Sequence, residues 1–512
     1  MSEEKTPVVK MCNKKLLTTL QQKLSATITS ASDSKIAKIL SIKSCPKITN
    51  IDVYQGGVKA ALEVSYRAVI CLETGEIVCS EETLASANVV YENSKLTQNA
   101  EVKMLPCIVD NETTILQGEV TVNTLVSIDI FMKDNSCNFF PPEYDDCINV
   151  KTLENQVCSL KDKINASGIV KGEIAVENKF KRIIFSSYTG FLKNYEIKTD
   201  YFIIKGEMFA NFLCEYEDGQ LKSFTKQFDF SEEIEQKGID SQDILQLEFN
   251  TSFIPTTNVV VNQNNETVID VEMPYTLMGD IYTCFNQEVI VDAYNIDRQV
   301  KLTTESFEHC INKESCFAEE KIIAGFNLSE DSPRIERILG TVGENISLVN
   351  VVTKNGEIIL EGIANVGAIY YSEDEDGNKV LNSVVIDLPY SLNIINKDIK
   401  ENDIVSVDLK LGEISVKNKK GRELEIIANV YICYNLSTPT ISAFTTKIDL
   451  GEEKQQCPYA LEIVVVKEGE ELWDIAKRLS IKEEMLIAQN PDVALPLVGG
   501  EKLVVFRARD NK

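Results

Sequence analysis

Two short patterns recur three times along this 512-residue chain, always in the same order. The first is a basic-apolar hexad: Lys35-Ile36-Ala37-Lys38-Ile39-Leu40, Lys179-Phe180-Lys181-Arg182-Ile183-Ile184 and Arg334-Ile335-Glu336-Arg337-Ile338-Leu339. The second is an acidic glycine turn between strand-like runs: Glu73-Thr74-Gly75-Glu76, Glu217-Asp218-Gly219-Gln220 and Glu375-Asp376-Gly377-Asn378. From the first hexad residue to the turn glycine the distance is 40, 40 and 43 residues. Either pattern alone is a weak match. The ordered pair, three times over, marks an internal repeat of roughly 150 residues. Such a chain is expected to hold three copies of one unit.

The units read as β. Ile203 to Phe212 and Ile358 to Ala364 precede their turns, and Thr267 to Met273 and Leu424 to Tyr431 come late in their copies. These runs alternate, or stay apolar, for seven to ten residues between polar turns, and they are rich in β-branched and aromatic residues. Long helical periodicity is scarce. Leu153 to Ile164, with mixed charges, is the expected exception, a helix joining copies one and two. Polar joints near 165–170 and 318–330 are the expected boundaries, and Gln455-Gln456-Cys457-Pro458 the expected linker to the C-terminal module. The organisation expected is an N-terminal segment 1–34, β-rich units 35–168, 169–320 and 321–455, and a small module 460–508.

The module is written in the last fifty residues. Ile463-Val464-Val465-Val466 predicts a strand and Gly469 a turn. Leu472, Ile475, Ala476 and Leu479 then fall at i, i+3, i+4 and i+7, one stripe of a helix. Glu470, Glu471 and Asp474 crowd its first turn and Lys477 and Arg478 its last, as the helix dipole favours. A second helix holds Leu486 and is stopped by Pro491 after Asn490. A glycine turn at Gly500 leads into the strand Leu503-Val504-Val505-Phe506. The order is βααβ, a small α+β module beside a mainly β body.

Composition narrows the function classes. At this length three or four domains are expected. Hydrophobic residues make up 44% of the chain, which excludes global disorder. The net charge is −27, against non-specific binding to nucleic acid or anionic lipid. No run approaches the ~18 apolar residues of a membrane-spanning helix, and Met1 to Pro7 has no secretion signal's apolar core. Fourteen scattered cysteines with no Cys-x-x-Cys are expected to be reduced, buried and small-apolar in role. A zinc site at His309, Cys310 and Cys316 is not expected, because the spacing is not standard and His309 is the sole histidine. That single histidine also removes most Ser-His-Asp and Cys-His schemes, and there is no Gly-x-Ser-x-Gly, phosphate-binding loop or dinucleotide fingerprint. Neither an enzyme nor a cofactor is expected.

From Ile463 through Phe506 the last fifty residues resemble a LysM module end to end. With three repeated β units before it, and with Val289-Ile290-Val291-Asp292-Ala293-Tyr294-Asn295 similar to an Asp-Ala-Tyr element of such units, the chain resembles the SPOCS-domain proteins of spore-forming Clostridia. That resemblance implies a spore coat scaffold in the mother-cell cytosol, at the forespore surface. It implies that the LysM module contacts the coat morphogenetic ATPase SpoIVA, with other coat proteins as further partners, where most LysM modules bind glycan.

The expected partner-binding residues are Gly469, Glu470, Glu471, Leu472, Trp473, Met485, Ile487, Asn490, Pro491 and Asp492. Trp473 follows Leu472 and lies about 100° round the helix from it, beside the buried stripe. An indole left partly exposed there would suit a binding hot spot, and Trp473→Ala is expected to weaken partner binding without unfolding the chain. Met485, Leu486 and Ile487 are consecutive, so all three cannot face one thin core, and Met485 or Ile487 is expected to extend a patch with Trp473. Where glycan-binding modules commonly have Gly-Asp-Thr, this chain has Gly469-Glu470-Glu471. That departure weakens the alternative reading, a protein that binds peptidoglycan or a related N-acetylated glycan.

Overall fold

The structure is a computed structural model that describes residues 9–29, 34–98, 100–139, 142–176, 180–252, 254–261, 266–330, 332–341, 344–373, 377, 379–455 and 461–506. Lys179, Glu375, Asp376, Asn378 and the linker residues Gln456, Cys457 and Pro458 lie outside them. The protein is mainly β. Its first unit comprises β1 (Val9–Ile28), β2 (Ile36–Tyr54), β3 (Gly57–Leu72), β4 (Ile77–Cys79), β5 (Thr83–Glu92), β6 (Glu101–Leu116) and β7 (Glu119–Phe139). Its second comprises β8 (Ile148–Ala175), β9 (Phe180–Lys198), β10 (Tyr201–Tyr216), β11 (Leu221–Glu235), β12 (Asp243–Thr251), β13 (Thr256–Val261) and β14 (Thr267–Asn295). Its third comprises β15 (Arg298–Asn327), β16 (Ile335–Thr341), β17 (Asn345–Lys354), β18 (Glu357–Glu373), β19 (Lys379–Ile395), β20 (Ile404–Asn418) and β21 (Glu423–Glu453). The C-terminal module is β22 (Leu461–Val465), α1 (Leu472–Leu479), α2 (Glu483–Gln489) and β23 (Lys502–Phe506).

Each unit is an antiparallel sandwich with one topology. The opening strand pairs with the closing strand, β1 with β7, β8 with β14 and β15 with β21. Between them the chain crosses to a second sheet centred on β3, β10 or β18. These central strands alternate buried and less buried residues along much of their length, as two-residue periodicity requires. Three separate apolar clusters fill the three sandwiches.

This topology corrects the expected boundaries. Residues 165–170 lie inside β8 and 318–330 run from β15 past its end. Residues 9–28, placed in an N-terminal segment, form the opening strand of unit one. Leu153 to Ile164 is strand, not helix, because every residue from Ile148 to Ala175 except Lys161 has a partner on β14. Its apolar positions serve a half-exposed ladder. Every unit begins one strand before its hexad.

The hexads have a geometric role that their sequence conceals. In all three, the third and sixth residues fall at shifts in the ladder register: Ala37 and Leu40, Lys181 and Ile184, Glu336 and Leu339. A bulge adds one residue to a strand and re-aims its side chains. As a result Leu40, Ile184 and Leu339 leave their own sandwich cores and meet in a shared cluster with Val69, Leu213 and Ile369 from the three central strands. The fourth hexad residue reaches a neighbouring unit in two cases. Lys38 donates to the Asn382 side chain at 2.6 Å, and Arg182 to the Ile77 carbonyl at 3.2 Å. In the third, a side chain at Gly340 would collide with Ser223. Unit one thus touches unit three, unit two touches unit one, and unit three touches unit two. The opening strands β1, β8 and β15 also touch one another, so each unit contacts the other two.

Turns repeat with the same fidelity. Gly75, Gly219 and Gly377 all have φ near +80°, a conformation open to glycine at little cost. A second repeated lock was not read from the sequence. Gly56, Asp200 and Gly356 donate their backbone N–H to the carbonyls of Leu96, Ile239 and Ile399, and the carbonyls of Gly56, Asp200 and Gly356 accept from Asn93, Gln236 and Asn396.

Candidate functional site

The module folds as its periodicity dictates. β22 pairs antiparallel with β23, with Leu461 opposite Phe506, Ile463 opposite Val504 and Val465 opposite Lys502. Side chains alternate across a strand, so Val464, Leu503 and Val505 turn inward beneath the helices and are buried. Asp474 closes the start of α1 by accepting the backbone N–H of Glu471 at 3.0 Å. Ser480 ends it in the left-handed conformation, with φ +56°. Asn490 ends α2 and ties it to β23: its side chain accepts from Val504 N–H at 2.7 Å and donates to the Val504 and Leu486 carbonyls at 2.8 Å.

Among the described residues the opposite face of the small sheet is largely apolar and exposed, with Lys502 at one end opposite Val465. Leu461, Ile463, Val465 and Phe506 are exposed, Ile463 at 62% and Phe506 at 56%, with half-buried Val504 between them. On α2, Met485 and Ile487 are each 45% exposed, while Leu486 between them is fully buried. Leu495 and Val498 add exposed apolar surface in the loop before β23.

Another face of the module is pressed against unit two. Here β14 carries a bulge at Val291: Ile290 sits opposite Thr152, and Asp292 opposite the next residue back, Lys151. After this extra residue, Asp292 and Tyr294 share one face of the strand and meet α1. The Asp292 carboxylate accepts the Trp473 indole N–H at 2.9 Å and the Lys477 ammonium at 2.5 and 2.7 Å. Burial disfavours its charge, but the hydrogen bonds from Lys477 and Trp473 and the Lys477 charge outweigh that and hold its pKa below the ordinary value. Tyr294 donates its hydroxyl to the Ile481 carbonyl at 2.7 Å, and its ring meets the indole edge-on, centroids 4.9 Å apart. Burial pushes its phenol up to about 12, so the hydroxyl stays a donor. Lys454, just past β21, donates to Ser480 Oγ at 2.8 Å and to the Asn295 carbonyl at 2.7 Å, and Lys151 pairs with Glu471 at 2.5 Å.

The expected site residues are therefore divided. Met485 and Ile487 are exposed as expected, and Pro491 and Asp492 are exposed in the second loop. Trp473 differs. It is only 7% exposed, in one cluster with Tyr294, Ile475, Ala476 and Leu479, while Leu472, placed in the buried stripe, is half-buried at its rim. The stripe is rotated because Tyr294, 179 residues before the indole, supplies the missing side of the core. Trp473 thus forms no exposed patch with Met485 and Ile487. Gly469 holds a turn at φ +77°. Glu470 is engaged within the module, accepting from Lys467 N–H at 2.9 Å and pairing with Arg478 at 2.8 Å. Glu471 faces Lys151, and Asn490 is structural. The outward sheet face was missed, although the alternation Leu461, Ile463, Val465 carries its signal.

His309, Cys310 and Cys316 are not brought together. The His309 ring lies by Ser442 Oγ at 3.0 Å, Cys310 by the backbone of Lys14, and Cys316 by the Glu314 carbonyl. Among the described residues no group of three or more His, Cys, Asp or Glu side chains is arranged to hold a metal ion. One cysteine pair departs from the reduced state expected: Cys158 and Cys284, opposite each other on β8 and β14, are joined as a disulfide. No helix among the described residues is long and apolar enough to cross a membrane. No protein-family profile matches the chain, and no curated protein or solved structure matches it.

Proposed function

We propose that this chain is a non-enzymatic, SipL-like scaffold of spore coat assembly, whose C-terminal LysM-like module holds a SpoIVA-like coat ATPase at the forespore surface. The supporting observation is the module's exposed apolar surface: Leu461, Ile463, Val465 and Phe506 on the sheet, with Met485 and Ile487 on α2. Apolar residues gathered on one small module suit a protein partner, and burial of each such side chain contributes roughly 1.5–3 kcal/mol. The glycan alternative is less favoured. Glu470 is held by Arg478 and Glu471 by Lys151, so two residues of the first loop are engaged with protein groups. The chain's net charge of −27 speaks against nucleic acid as a partner.

A titration of the full chain tests this reading, with a SpoIVA-like ATPase in one arm and soluble peptidoglycan fragments in the other. Ile463→Glu and Ile487→Asp, both at exposed positions, are expected to weaken ATPase binding at least tenfold with unchanged thermal unfolding. Binding to the glycan alone, insensitive to both substitutions, would replace the scaffold reading with a wall-recognition one.

A further inference from the structure

The contact between the module and unit two is built as a recognition site whose occupant happens to belong to the same chain. On the module's side it consists of Trp473, Lys477 and the backbone carbonyl of Ile481. On the other side it consists of a carboxylate and a phenol two residues apart on a strand. Each group of the occupant has its own receptor. The carboxylate takes an indole N–H and an ammonium, the phenol O–H takes a backbone carbonyl, and the phenol ring packs on the indole.

Two features of the contact bear on whether its occupant can exchange. The polar half of the contact remains wet, with Lys477 43% and Asp292 26% exposed at the side chain, so water and salt reach it. Most of the cluster that Tyr294 joins also belongs to the module itself: Val464, Val466, Ile475, Leu486, Leu503 and Val505 are buried in it, and among the described residues Tyr294 is its one member from outside the module.

We propose that the α1 face of the module is a binding site for an extended acidic-aromatic segment of the form Asp-x-Tyr, occupied in cis by Asp292 and Tyr294. While that occupant is seated the site is closed, and Trp473 becomes available to a competing Asp-x-Tyr strand only on release. This site is separate from the outward sheet face, and the inference stands whatever partner that face binds.

Trp473 is the only tryptophan in the chain, so its fluorescence reports this site alone. In the full chain, acrylamide quenching is expected to rise at least threefold in the Asp292→Ala/Tyr294→Ala double variant, with far-UV circular dichroism unchanged. A synthetic Val289–Asn295 peptide added to that variant restores protection, and the same peptide with Asp292→Asn does so at least tenfold less well. Lys477→Ala, which leaves unit two intact, raises quenching in the same direction. Unchanged quenching in the double variant would show that the module shields its own indole and would sink the proposal. Loss of the module's helices in both variants would also overturn it, because docking would then be a condition of folding rather than an exchangeable contact. Failure of the peptide to protect a folded double variant would remove the binding-site claim.

Discussion

The indole N–H of Trp473 and the carboxylate of Asp292 are 181 residues apart in sequence and 2.9 Å apart in space. Through this pair a module that carries its own βααβ signature takes one wall of its core from another unit. A tryptophan expected at the surface is thereby made a structural residue.

That burial reverses the expectation for Trp473→Ala. Truncating a buried tryptophan costs about 3–5 kcal/mol. Trp473→Phe keeps most of the packing and loses the donor, for about 1 kcal/mol. Amide hydrogen exchange across Leu472–Leu479 separates the two. Protection should fall by about one power of ten for phenylalanine and by several for alanine. Equal protection in all three proteins would contradict the buried position.

The docking contact should be acid-labile. The Asp292 carboxyl has its folded pKa below the unfolded one, so its stabilisation is fully present above the unfolded value of about 3.9. It is lost as pH falls through the lower, folded pKa. Trp473 fluorescence should therefore be flat from neutral pH down to about 4 and change below it. In Asp292→Asn that acid transition should be absent. A change centred near pH 6 would point to a different group.

The interior holds a second titrating group of opposite sign. Lys14 is 3% exposed, and burial, with Lys103 and Lys133 nearby, lowers its pKa to about 7. Asp280 and Glu248 act the other way but pair closely with Lys133 and Lys103. Between pH 7 and the ordinary lysine value of about 10.4 the unfolded chain binds the extra proton, so stability rises with pH across that window, by at most about 1.4 kcal/mol per pH unit. It levels off below pH 7. Thermal unfolding of Lys14→Met should lack this slope, and a wild-type melting temperature independent of pH from 7 to 9 would refute the assignment.

The sixth hexad residues should behave alike. Leu40→Ala, Ile184→Ala and Leu339→Ala each open a cavity in the same cluster, and each should cost about 2–4 kcal/mol. Because the cluster lies between units, the loss should appear as proteolysis at the unit junctions before any unit's own strands are cut. Attack confined to the substituted unit's sandwich would mean that the residue belongs to that core.

The sequence carried the number of units, the turn glycines and the whole plan of the module, because each rests on local periodicity and on backbone angles that few residues adopt. The unit boundaries were not legible. The opening strands β1, β8 and β15 show no shared motif, and their partners lie about 90 to 155 residues onward. The hexads were visible as a pattern but not as paired bulges, since the register of a strand depends on the strand beside it. Met485 and Ile487 were legible because three consecutive apolar residues cannot share one helix face. Trp473 was not, because Tyr294 comes from another unit.

The cyclic contact of hexads has a consequence for how many units such a body can hold. Each hexad strand rests on a neighbouring unit, and after three steps the contact returns to its start, as in a closed ring of subunits. A fourth unit inserted into the gene would find no vacant hexad face and no share of the central cluster. It would hang outside the ring as a separate bead. The count of three thus follows from how neighbouring units meet at the hexads, where each strand carries two bulges.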